Sequence, residues 1–155
     1  MPVKDTAKRQ YVRLLDRAAE QLDGLRSRPL EGWIHAMRKA LGMSAPELAR
    51  RMGVTKPAIY QAEHKELEGG VTLQHMEKLA EALGGRFVYA IVPNGSVEDI
   101  LQEQARKKAE TTVRRASGHM ALEKQSLLPE QTREEIARLA QDFMRDPPPD
   151  FWSER

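Results

Sequence analysis

The chain has 155 residues, no cysteine, and a net charge of +2 from 25 basic and 23 acidic side chains. Such a length suits one compact domain with appendages, the missing cysteine excludes disulfides and thiolate metal sites, and no apolar run reaches the roughly 18 residues of a membrane span. Ala, Leu, Glu, Arg and Lys dominate, which favours helix, and with 5% aromatic residues the core must rest on aliphatic side chains and Met.

The opening MPVKDTAKRQYVRLL has no signal-peptide apolar centre, so a cytoplasmic protein without a membrane partner is expected. Residues 4–26 read as an amphipathic helix, with Val12, Leu15, Ala19, Leu22 and Leu25 at helical spacing. Arg9, Arg13 and Arg17 form an i, i+4, i+8 row on another face. That row suits either a DNA backbone or an ordinary solvated face. Residues 1–30 carry seven basic and four acidic groups, residues 31–93 eight and seven, and residues 94–155 ten and twelve. The basic excess therefore lies toward the N-terminal side, compatible with phosphate contact without amounting to a basic stripe. Ser27 to Pro29 ends the first helix, because the residue before proline is steered out of the α region.

Glu31 to Leu41 is the next helix, with Trp33, Ile34, Met37 and Leu41 expected inward and Gly42 as its stop. Ser44 is an N-cap candidate with Glu47 three residues on, a capping box, and Pro46 falls in the first turn. Leu48, Ala49 and Met52 supply an apolar face before Gly53 breaks the helix with a positive φ. Val54 packs into the turn, Thr55 caps a third short helix with Pro57 in its first turn, and Ile59 and Ala62 point inward. Thr72 caps a further helix with Leu73, Met76, Leu79, Ala80 and Leu83 inward. RFVYAIVP, residues 86–93, is β-branched and aromatic between Gly-Gly and Pro-Asn-Gly and predicts one short strand. A lone strand cannot satisfy its own ladder, and the pairing expected for it is with a second copy across a dimer axis.

Ser96 to about Arg115 predicts a charged helix whose thin stripe (Val97, Ile100 or Leu101, Ala105, Ala109, Val113, Ala116) suits a helix lying on a partner or on the dimer surface. Ser117-Gly118 is expected to interrupt it. Pro129 opens a last helix with Ile136, Leu139, Ala140, Phe143 and Met144 on one face. The prolines of DPPPDFWSER exclude helix there, and Phe151 and Trp152 are anchor candidates on this chain or another. The expected fold is mainly α: a helix-turn-helix domain with one short C-terminal β-strand and flanking helices, divided as residues 1–30, 31–93 and 94–155.

Two short helices joined by a tight turn over residues 41–64 are suited to recognition rather than bond-making. An α-helix fits the major groove, where each base pair displays its own donors and acceptors, while the preceding helix crosses the backbone. Lys56, Pro57, Tyr60 and Gln61 are the base-edge candidates. Ser44, Thr55, Lys65, Arg50 and Arg51 are the phosphate candidates. His35, His64, His75 and His119 have no metal-ligand spacing, no nucleophile stands beside a base, and the glycine pairs fall at helix ends, so neither an enzyme nor a cofactor is expected.

MSAPELARRMGVTKPAIYQAE carries a resemblance. Residues 33–83 resemble the lambda-repressor or Cro type of helix-turn-helix, often called the XRE family, without a gap over the second and third helices. The resemblance implies an ion pair between Arg38 on the first helix and Glu63 at the end of the recognition helix. RPLEGWIHAMRKALGMSAPELARRMGV together with TLQHMEKLAEALGGRFVYAIVP is similar to the bacterial mobile mystery protein A family, over nearly the whole length. That family pairs with a Fic-domain protein. The resemblance implies a dimeric repressor of a palindromic operator on double-stranded DNA, an antitoxin that autoregulates its operon, with a Fic-domain toxin as a partner. The alternative is a protein-interaction module that neutralises the toxin by direct binding, with DNA binding secondary or absent. Fic inhibitors carry Ser or Thr, three residues, Glu, then Gly or Asn. Ser126 to Glu130 comes closest and departs at Gln131, and His64 to Glu68-Gly69 has the right end and the wrong start.

Overall fold

A computed structural model describes residues 2–25, 27–122 and 129–154. The described residues form seven helices: α1 (Pro2–Gln21), α2 (Trp33–Ala40), α3 (Ala45–Met52), α4 (Lys56–Leu67), α5 (Leu73–Ala82), α6 (Val97–Leu122) and α7 (Pro129–Arg145). They fall into two compact units, one of residues 22–90 and one of residues 1–21 with 91–155.

In the first unit, α2 to α5 close around Ile34, Ala45, Leu48, Ala49, Ile59, Ala62, Met76, Leu79 and Leu83, with Met43, Met52, Val71, Ala82 and Phe87 packed against them. Leu48, Ile59 and Leu79, all but inaccessible to solvent, supply one large side chain each from α3, α4 and α5. The periodicity that marked α2 overstates its inner face. Trp33, Met37 and Leu41 stay substantially exposed, as do Leu73 of α5 and Val54 in the turn. A helix of eight residues has one narrow inner line, and here Ile34 and Arg38 occupy it.

The expected strand at 86–93 is not formed. No described residue lies in a strand, and the segment runs as irregular chain. Its composition favours extended backbone, but extended backbone becomes a strand only against a second strand. The fold instead uses Phe87 as a plug beside the core and leaves Val88, Tyr89 and Ile91 exposed, with Tyr89 stacked on Phe87 at 5.7 Å between ring centroids.

In the second unit, α6 pairs with α7 and also meets α1. The Asp16 carboxylate on α1 accepts from the Val97 N–H at 2.9 Å, and Ser96 and Asp99 cap the same helix end reciprocally at 3.0 and 3.1 Å. α6 does not break at Ser117-Gly118 but continues to Leu122. A glycine inside a helix costs only about 1 kcal/mol, too little to stop a long one. The thin stripe is covered within the chain: Ala105, Ala109 and Val113 are buried. The tail returns to α6, where Gln104 Nε2 donates to the Phe151 carbonyl at 2.7 Å and Lys108 Nζ meets the Asp150 carboxylate at 2.9 Å. Phe151 is buried, while Trp152 stays exposed with its ring edge-on to Phe151. Ser126 lies outside the described residues.

The tail contact has a pH signature. The hydrogen bond from Lys108 holds the Asp150 carboxyl below its ordinary value. A depressed folded pKa stabilises the contact above the ordinary carboxylate pKa and loses that contribution as pH falls through the folded one. Fluorescence of Trp152 in a Trp33→Phe background should therefore stay constant from neutrality down to about pH 5 and change only below about pH 4. The transition should be absent in Asp150→Asn.

Candidate nucleic-acid interface

The turn between α3 and α4 is built from local chemistry. Ser44 is in extended conformation (φ −76°, ψ 158°). Its hydroxyl oxygen accepts from the Glu47 N–H at 3.2 Å, and the Glu47 carboxylate accepts from the Ser44 N–H at 3.2 Å and from its hydroxyl at 2.7 Å. The hydroxyl and N–H of Ser44 hold the Glu47 carboxyl below its ordinary pKa. Gly53 takes φ +69°, the left-handed conformation that ends α3. Two backbone bonds seal it, from Gly53 N–H to the Arg50 carbonyl at 3.3 Å and from Val54 N–H to Ala49 at 2.9 Å. Thr55 then starts α4, its hydroxyl accepting from Ala58 N–H at 3.3 Å.

α4 is split lengthwise. Ile59, Ala62, Glu63 and Glu66 are buried, while Lys56, Pro57, Tyr60, Gln61, His64 and Lys65 lie along the exposed half of its circumference. Lys56 Nζ sits 5.8 Å from the centre of the Tyr60 ring. The four base-edge candidates are thus presented together by the first two turns of one helix.

The phosphate candidates separate into four groups. Ser44 borders a groove with Lys39, Met43, Pro46, Lys56 and Tyr60, although its hydroxyl is already engaged by Glu47. Lys65 and Gln61 border a second groove with Gly70, Thr72 and His75 at the start of α5. Thr55 is exposed at the turn, and Arg50 is exposed on the last turn of α3. Arg51 points elsewhere: its Nε donates to the Ala82 carbonyl at 2.7 Å, tying α3 to the end of α5. Lys39 and His75 were not singled out from the sequence. Lys39 follows directly on Arg38, and His75 stands three residues after the Thr72 cap, so each is found only by asking what adjoins a helix start in space.

Two buried carboxylates hold α4 to α2. Arg38 Nε donates to Glu63 Oε1 at 2.7 Å, and its Nη1 donates to the Met43 carbonyl at 3.2 Å. His35 adjoins the same site, 3.4 Å from Glu63 and 2.7 Å from Glu31. Sequence reasoning missed the second carboxylate. Glu66 caps the start of α2, accepting from the Trp33 N–H at 2.7 Å and the Ile34 N–H at 2.9 Å. The α2 N-cap, Gly32, has no side chain to do so. Arg28 fastens the same C-terminal end of α4, donating to the Glu66 and Leu67 carbonyls at 2.9 and 2.8 Å. None of the described residues forms an acidic, histidine or cysteine cluster fit for a metal, and none of their helices is long and apolar enough to cross a membrane.

Two short helices joined by a tight turn, with one face of the second presented to solvent, form a helix-turn-helix, an arrangement that suggests a DNA-binding regulator. Residues 34–89 match the helix-turn-helix family model, of XRE type. The match lies wholly inside the unit of residues 22–90. No curated protein and no solved structure matches the chain.

Proposed function

We propose that the chain is a sequence-specific transcriptional repressor that binds a palindromic operator as a homodimer, with α4 in the major groove. The observation that carries this reading is the joint exposure of Lys56, Pro57, Tyr60 and Gln61 on one face of α4, on a helix whose other face is fixed by buried groups. Lysine donates to guanine O6 and N7, glutamine pairs with adenine N6 and N7, and proline suits a thymine methyl. Two copies would enter successive major grooves about 34–36 Å apart. The groups nearest the phosphates would be Thr55, Lys65 and Arg50, with Lys39 and His75 beside them. Arg51 is better regarded as a brace for α5.

Mobility shifts on the DNA upstream of its own gene, at several salt concentrations, test the reading. Preference for that DNA over random duplex is expected, and equal affinity at every salt would refute it. Lys56→Ala and Gln61→Ala should each cost about 1–3 kcal/mol on the preferred site and relax preference at one position of it. The melting temperature should be unchanged, because both side chains are exposed.

We propose further, on the resemblance of the sequence to mobile mystery protein A alone, an antitoxin role with repression of an operon that also encodes a Fic-domain toxin. Co-expression with a Fic-domain protein encoded in the same operon tests it: relief of toxicity supports the role, and the absence of any such gene, or undiminished toxicity in cells repressing normally, refutes it. Neutralisation by direct binding has less support than the stripe of α6 promised, since Ala105, Ala109 and Val113 are covered by the chain itself.

A further inference from the structure

α1 carries five cations, Lys4, Lys8, Arg9, Arg13 and Arg17, against three acids, Asp5, Asp16 and Glu20. Its inner side is committed: Val12, Leu15, Ala18 and Ala19 are half-buried, and Asp16 is held by the Val97 N–H. Arg9, Arg13 and Arg17 lie on the outer side, all exposed, and among the described residues none has an ion-pair or hydrogen-bond partner. Asp5 and Glu20 stand toward the two ends of the row without pairing to it. Elsewhere in the same unit Arg114, Arg115 and Arg133 stand singly or as a neighbouring pair rather than in a row, and three arginines are neutralised on their own helix. Arg106 is clamped by Glu103 and Glu110, Arg138 by Glu135 and Asp142, and Arg145 by Asp142.

Successive members of the row are one turn apart, about 6 Å along the axis, so three guanidiniums span about 12 Å. Over that length of duplex axis one strand carries three or four phosphates, at about 3.4 Å of axis per charge. The row is therefore matched in charge and in length to a nucleic-acid backbone.

We infer that the Arg9–Arg13–Arg17 row of α1 is a second DNA contact that grips the phosphate backbone without reading sequence. The inference rests on the DNA-binding reading of α4 and adds affinity from the unit outside the helix-turn-helix match. Arginine is suited to this use because its fork bonds phosphate oxygens bidentately.

The test is a salt titration of the full chain on its preferred duplex and on random duplex, each about 30 base pairs. For Arg9→Gln/Arg13→Gln/Arg17→Gln, affinity should fall on both duplexes by the same factor. The plot of log affinity against log salt should become shallower by about 0.9 per lost contact, roughly 2.7 for the row. Arg9→Lys/Arg13→Lys/Arg17→Lys should keep most of the slope, which separates charge from any effect on folding. Circular dichroism and melting should match the wild type for both. An unchanged slope in the glutamine variant overturns the inference while leaving the α4 reading intact. Loss confined to the preferred duplex also overturns it. Loss of binding to phosphatidylserine vesicles with an unchanged DNA slope would assign the row to a lipid surface and overturn it as well. Absence of any DNA binding by the wild type would remove both readings together.

Discussion

Glu63→Ala is expected to lower the unfolding free energy by about 3–5 kcal/mol, measured by urea denaturation at neutral pH. Arg38 is only 4% exposed and Glu63 8%. Removing the carboxylate strands a guanidinium that cannot lose its proton and cannot reach water without moving α2. The bond from Arg38 to the Met43 carbonyl survives, but a neutral acceptor does not compensate a buried cation. Arg38→Met should cost less than Glu63→Ala, because the remaining carboxylate keeps His35 as a neighbour and can also be neutralised by a proton. The double variant Arg38→Met/Glu63→Leu should recover part of the loss, since replacing both charges removes the penalty each leaves alone. Losses near zero for Glu63→Ala would mean that Arg38 stays hydrated. DNA affinity should fall together with the melting temperature in this variant. That concurrence distinguishes Glu63 from Lys56 and Gln61, whose loss should be felt on DNA alone.

What could be read from the sequence divides by distance along the chain. The capping box of Ser44 and Glu47, the left-handed Gly53 and the Thr55 cap are decided within three or four residues, and their geometry follows from those residues. The exposed row Lys56, Pro57, Tyr60 and Gln61 could be read from helical periodicity, because its complement Ile59 and Ala62 is apolar. Features that depend on remote partners were not legible. Residues 86–93 have strand composition, yet pairing is a property of two segments, and no second segment is present among the described residues. Trp33 and Met37 satisfy an inward periodicity, but α2 is too short to bury more than the line through Ile34 and Arg38. Arg51 looks like any cation near a helix end until the Ala82 carbonyl is found beside it. The stripe of α6 is too thin for a core on its own, and its covering, α7 with the returning tail, comes later in the chain, the bonds from Gln104 to the Phe151 carbonyl and from Lys108 to the Ser153 carbonyl spanning 47 and 45 residues.

Glu66→Ala is the second large effect, a loss of about 3 kcal/mol from two charge-assisted bonds and one favourable helix-terminus interaction. Its partners are 32 and 33 residues away, which is why the sequence places Gly32 inside a helix begun at Glu31 when it is the N-cap of one that begins at Trp33. A helix begins with N–H groups that need acceptors, and here the acceptor is supplied by α4. Glu66→Gln keeps the shape but has one oxygen for two donors, and it places an amide N–H against a backbone N–H, so it should recover little. Gly32 is fitted to the same carboxylate. Its φ is +91°, and a Cβ there would stand 2.7 Å from Glu66 Oε2. Gly32→Ala should therefore destabilise by two separable routes, backbone strain and collision. In the Glu66→Ala background the collision is gone and only the strain remains, so the combined loss should be smaller than the sum of the two single losses. Amide exchange at Trp33 and Ile34 should accelerate in Glu66→Ala well beyond the acceleration at Leu79, which is buried in α5. Additive losses, or uniform acceleration across the unit, would show that Glu66 is only one more buried group. A coupled loss with exchange concentrated at the start of α2 would establish that α4 sets the position of the helix behind it as well as presenting its own outer face.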